Sequence, residues 1–154
     1  MKKILLLSIS IFLSVSGLFA QDGEIVWGGA GIPDSEFDGG LNNWTTVGVT
    51  NENAIWVWEG DGRADNGAYS GNTPISSPSV SNGAMVFDSD FYDNGGVQGD
   101  FGLGVAPAPA TGELISPIMD LTDAGAVSLK FSEYHRNLQS TNQVAYSMDG
   151  GITW

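Results

Sequence analysis

Beyond residue 20, Gly, Asn, Asp, Ser or Pro breaks every apolar run before a helix can be completed. Apolar residues do not recur at spacings of three and four, the pattern that a packed helix face demands. Between the breaks stand short stretches with strand character: EIVW at 24–27, WTTVGV at 44–49, AIWVW at 54–58 and AMVFD at 84–88. GELIS at 112–116, AVSLKFSEY at 126–134 and NQVAYSM at 142–148 follow. Val127, Leu129 and Phe131 alternate with Ser128, Lys130 and Ser132, as in a strand with one buried face. Val144, Tyr146 and Met148 alternate in the same way. Many short strands joined by turn-rich loops predict an all-β antiparallel sandwich or barrel. GVAPAPATG at 104–112 reads as a loop, because Pro107 and Pro109 cannot sit in a central strand.

Residues 1–20 follow another logic. Lys2 and Lys3 precede an apolar run of 16 residues and a small Ala20 ahead of a polar QDGE, the layout of a secretory signal peptide. The run falls short of the roughly 20 residues that span a bilayer, so no membrane span is expected after cleavage. The chain has no cysteine. A lipid-modified N-terminus is thereby excluded, and packing must stabilise the exported part without disulfides. The predicted organisation is a signal peptide at 1–20, a lead-in at 21–34 and one β module at 35–154. The predicted location is secreted or extracellular, with cell-surface attachment compatible with it.

Without Lys2 and Lys3, three basic residues face eighteen acidic ones, a formal charge of −15. Such a chain repels phosphate backbones, which excludes nucleic acid as a partner, and it attracts divalent cations. Regularly recurring Trp, Phe, Tyr, Val, Ile and Leu argue against disorder.

Three stretches in order resemble one family. FDGGLNNW at 37–44 is similar to the opening strand of carbohydrate-binding and adhesin jelly rolls. GELISPIMDLT at 112–122 resembles their L-x-S-P-x-x-D-L segment. LKFSEYHRN and QVAYSMDGGITW, within 129–154, resemble the paired strands that follow. Together they resemble the MAM-like, cleaved-adhesin-like or choice-of-anchor jelly-roll modules of Bacteroidetes-type surface proteins. The resemblance implies an antiparallel jelly-roll β-sandwich, incomplete at its C-terminal side, because the family's domain continues past the final tryptophan. It also implies a non-catalytic adhesion or carbohydrate-binding module of a larger exported protein, with an extracellular glycan or protein ligand and downstream domains as partners.

The competing expectation is the N-terminal part of a secreted enzyme. Ser147-x-Asp149-x-Gly151-x-Thr153-Trp154 matches the Asp-box of sialidase-like propellers. The physical task of that box is to close a hairpin, with the aspartate accepting turn N–H groups, and Asp149-Gly150-Gly151 supplies glycines suited to positive φ. Propellers carry several copies, whereas this chain has one. A glycanase or protease domain lying downstream is the other form of this alternative. His135 is the lone histidine, and neither a G-x-S-x-G elbow nor an H-E-x-x-H motif is present.

DSDFYDNGG at 88–96 crowds Asp88, Asp90, Asp93 and Asn94, oxygen donors that a structural Ca²⁺ would join. Asp38 is a further candidate, since the corresponding acid of the jelly rolls it resembles often binds calcium. An ordinary solvated acidic turn is the other reading. Glu59, Asp61 and Asp65 form a lesser cluster at 59–67 that reads as a loop. Trp56 and Trp58 share a strand face, where a core role outweighs a sugar-stacking platform.

Overall fold

The computed structural model describes residues 24–29, 31–67, 73–93, 110–136 and 140–154. The predicted signal peptide, most of the predicted proline loop and Asn94 lie outside them, as does the side chain of Asp93. The predicted strand at 24–27 has no ladder. The first regular element is instead a single helical turn, α1, Pro33–Glu36. Pro33 sits at its start, where a fixed φ is already helical and the missing N–H has no bond to lose. Asp34 and Glu36 face the positive end of the turn. Phe37 stops it by adopting a left-handed conformation, φ 53°. The segment 37–44 is therefore a turn-rich link, not an opening strand. Trp44 Nε1 ties it down by donating to the Asp34 carbonyl at 2.6 Å, and the Phe37 and Trp44 rings pack at 5.0 Å.

Two antiparallel pairs follow. β1, Thr45–Gly48, pairs with β4, Gly112–Ile115, setting Thr45 opposite Ile115 and Gly48 opposite Gly112. β2, Val57–Glu59, pairs with β3, Ala84–Val86, setting Trp58 opposite Met85. A 3₁₀ turn, Val80–Asn82, leads into β3. Trp56 links the pairs: its backbone N–H donates to Thr46 Oγ1 at 2.8 Å, and its indole N–H to the Gly112 carbonyl at 3.1 Å. Its ring lies 5.6 Å from that of Phe87, which in turn lies 5.5 Å from Tyr92. Trp58 donates to the carbonyls of Phe37 and Asn82 at 2.9 and 3.3 Å. Both tryptophans are thus half-buried structural side chains with committed N–H groups, the arrangement buried indoles require. Ala54 is the fully buried hydrophobic residue at this junction.

A glycine is needed at 112. A Cβ there would run into the Phe87 ring and would stand 2.8 Å from the Ala54 carbonyl oxygen, so the strand reaches the aromatic cluster only with a bare backbone.

The 88–96 stretch differs from the predicted loop. Its described part holds a second helical turn, α2, Ser89–Asp93, which sets Tyr92 against Phe87 and Phe91 against Tyr92. Tyr92 Oη anchors it by donating to the Ile55 carbonyl at 2.5 Å. Burying that ring outweighs the weak helix preference of two aspartates.

The predicted strands at 126–134 and 142–148 carry no ladder, and their apolar side chains are exposed. Alternation fixes which side chains share a face, but it cannot supply a partner. The two segments do approach each other at one end. Asn142 Nδ2 donates to Glu133 Oε1, and His135 Nε2 lies 2.7 Å from Ser140 Oγ. No backbone ladder continues from these contacts among the described residues. An antiparallel register extrapolated from them would set Phe131 opposite Val144, Leu129 opposite Tyr146 and Val127 opposite Met148. The described chain is thus β-rich, with two small antiparallel sheets and short helical turns.

Candidate functional site

Two places gather the residues that the sequence singles out. The first is the corner between β3 and α2. Asp88 lies two residues past β3, just before α2, and is 5% exposed. Its Oδ2 accepts two consecutive backbone N–H groups, from Asn66 at 3.1 Å and Gly67 at 3.0 Å. Asp90, two residues on, is hydrogen-bonded to Asp88 through its own carboxyl. Burial pushes the Asp88 carboxyl up to about 6, and contact with Asp90 adds to this while the Gly67 and Asn66 N–H groups oppose it. Nearby Tyr92 is also raised, first by burial and then by the charges of Asp88 and Glu59, against the opposing pull of its Ile55 bond.

The five candidate calcium ligands divide. Asp88 and Asp90 come together. Asp38 stands exposed just after α1, its backbone N–H donating to the Pro33 carbonyl at 3.3 Å. Asp93 belongs to α2, but its side chain lies outside the described residues, as does all of Asn94. Among the described residues, no three acidic or histidine side chains are grouped to hold a metal. In the 59–67 loop Asp61 is engaged locally, accepting the Arg63 backbone N–H at 3.1 Å and standing 3.7 Å from Arg63 Nε.

The second place is the turn at 147–154. Asp149 Oδ1 accepts the N–H groups of Ile152 and Thr153 at 3.1 and 2.9 Å and the Ser147 hydroxyl at 2.7 Å. Its Oδ2 accepts the Thr153 hydroxyl at 2.6 Å. Ser147 Oγ in turn accepts the Gly151 N–H at 2.7 Å. Gly150 and Gly151 take φ values of 71° and 88°, the positive range for which glycine suits these positions. The Thr153 hydroxyl, followed by the Ser147 hydroxyl and the Thr153 N–H, holds the Asp149 carboxyl well below the usual carboxylate range. Alongside runs a shallow groove of about 410 Å³ lined by Val144, Ala145, Tyr146, Met148, Thr153 and Trp154.

Chemically the two places differ. The turn consumes its carboxylate in structural bonds, leaving no general acid or base. The corner offers a carboxyl pair, Asp88 buried and Asp90 half-buried, suited to sharing a proton or a cation. His135 contacts the Ser140 hydroxyl, with both residues exposed. Sequence reasoning missed Asn66 and Gly67, the backbone donors to Asp88. Their Asn-Gly dipeptide marks a turn, but a partner 21 or 22 residues away leaves no local trace.

No protein-family model, curated protein or solved structure matches the chain.

Proposed function

We propose that this chain is an exported, non-catalytic jelly-roll β-sandwich module of a larger secreted or cell-surface protein, serving adhesion or carbohydrate binding. The observation that carries the reading is the β-rich build of the described residues, two antiparallel pairs braced by the committed indoles of Trp56 and Trp58. Asp149 spends both carboxylate oxygens closing a turn, the structural task the box also has in propellers, and so supplies no catalytic group of its own. The second support is the 126–148 pattern. In this reading the two segments pair as a hairpin whose apolar face, Val127 to Met148, forms part of a sandwich layer. The Glu133–Asn142 and His135–Ser140 contacts support that pairing.

In this reading Ca²⁺ is structural, held at the corner by Asp88 and Asp90 with Asp93 and Asn94 of the same stretch; Asp38, exposed after α1, is not brought to that corner. The paired carboxyls fit a cation, although one Asp88 oxygen is already shared with two N–H groups. Calcium should raise the melting temperature, and Asp90→Ala should remove most of the gain. A melting curve indifferent to both calcium and chelator contradicts the calcium assignment. A gain that survives Asp90→Ala moves the site to the 59–67 loop.

The function is tested by passing the secreted protein over immobilised glycans and extracellular-matrix proteins, in parallel with assays on chromogenic glycosides and peptides. Retention on a glycan or protein without turnover is expected. Turnover that His135→Ala or Asp149→Asn abolishes would contradict the module reading and favour the enzyme.

A further inference from the structure

Asn66-Gly67 is the dipeptide type most open to succinimide formation, because glycine places no side chain in the way of ring closure. In that reaction the Gly67 nitrogen attacks Asn66 Cγ. The N–Cγ bond forms, the Cγ–Nδ2 bond breaks, and ammonia departs carrying the Gly67 proton. Water then opens the ring to aspartate or isoaspartate. The attacking nitrogen must lose its proton and swing towards its own neighbour's side chain.

Here that nitrogen is buried and held. Its N–H donates to Asp88 Oδ2 at 3.0 Å, and the Asn66 N–H donates to the same oxygen at 3.1 Å. The Asp90 carboxylate lies against the Gly67 Cα, where an added Cβ would collide with it. A carboxylate at an N–H could in principle act as the base that starts the reaction. Charge decides against this. The attacking species is an amide anion, and forming it beside two acidic side chains in a buried corner places like charges together at low dielectric.

We propose that the Asp88–Asp90 corner is a chemical lock on a latent modification site, Asn66, which deamidates to isoaspartate when the lock opens. The extra backbone atom of isoaspartate would displace one of the two N–H groups from Asp88. Modification would therefore loosen the 59–67 loop from the β3–α2 corner and leave Asp88 with one backbone donor in place of two.

Asn82-Gly83 provides an internal comparison, because Gly83 N–H donates to a neutral carbonyl, that of Val80, at 3.1 Å. The secreted chain is incubated at neutral pH with chelator, folded and in urea, and peptide mapping follows amide-to-acid conversion and isoaspartate. In urea both asparagines should convert at similar rates. In the folded chain Asn66 should slow by about tenfold or more, the factor that a hydrogen bond to a charged group carries. Asp88→Asn, which keeps an acceptor and removes the charge, should speed conversion at Asn66 while leaving Asn82 unchanged. If that variant unfolds, Asn82 will also accelerate, and Asp90→Asn then serves instead, since it removes charge without touching the two N–H contacts. Asn66 converting as fast in the folded parent as in urea overturns the proposal. So does slow conversion at Asn66 in whichever charge-neutral variant keeps Asn82 at its parental rate.

Discussion

Asp88 shows how far one carboxyl can be moved by its surroundings. In the unfolded chain it titrates near 3.8, and in the folded corner burial and Asp90 raise it to about 6. Folding thus favours the neutral acid. The stability this group contributes is complete below about pH 4 and is lost as pH rises through about 6. The ionisable groups facing it are Asp90 and Tyr92, with Glu59 acting on Tyr92. In chelator, the melting temperature should fall as pH is raised from about 5 to about 7, and Asp88→Asn should flatten that fall. An equal slope in parent and variant would show that Asp88 is not the group responsible. Asp149 has the opposite sign. Its lowered carboxyl contributes above the usual carboxylate range and loses that contribution only on acidification through its depressed value, so it does not blur the window. The acid cluster around Asp88 was legible in the sequence, but its titration was not, because burial depends on Phe87 and Tyr92 and on a loop more than twenty residues earlier.

At the scale of elements, the turn at 147–154 was the most legible piece. Every bond that fixes it runs between residues no more than four apart, so the local sequence contains the whole cause. Asp149→Ala should therefore open the turn while leaving the β1–β4 and β2–β3 pairs intact. Amide exchange at Ile152 and Thr153 should rise by about tenfold, the cost of losing charge-assisted bonds. Unchanged exchange at those amides would show that the glycines alone set the turn. The strands were legible in proportion to how far their cause is local. WTTVGV, AMVFD and GELIS each contain an observed strand, whereas AIWVW lost its first residues to the Asn51–Ala54 turn and to the Trp56 contacts with Thr46 and Gly112. α2 was missed because a two-aspartate segment has weak helix preference, and its cause is the non-local seating of Tyr92 on Ile55.

At the scale of the whole molecule, charge and apolar surface are separated along the chain. From residue 126 onward Lys130 and Arg136 balance Glu133 and Asp149, so the formal charge of −15 belongs to residues 21–125. The neutral part also carries the alternating apolar set, with Leu129 62% exposed and Tyr146 80% exposed. Paired as proposed, these segments would make the charge-balanced, one-faced hairpin that a sandwich layer needs, and an isolated pair of strands is only marginally stable without a layer to pack against. The sequence pattern assigned the faces, and the proposed pairing rests on the Glu133–Asn142 and His135–Ser140 contacts. The sandwich reading therefore depends on that register, and the cysteine-free chain allows a direct measurement of it. Leu129→Cys and Tyr146→Cys introduced together should form a disulfide under mild oxidation, because residues opposite each other in a hairpin meet its geometric requirement. The pairs Leu129→Cys with Val144→Cys and Leu129→Cys with Met148→Cys, each displaced by two residues, should close much more slowly. A displaced pair closing first, or a Leu129–Tyr146 pair that stays reduced, would contradict the hairpin and the layered architecture built on it.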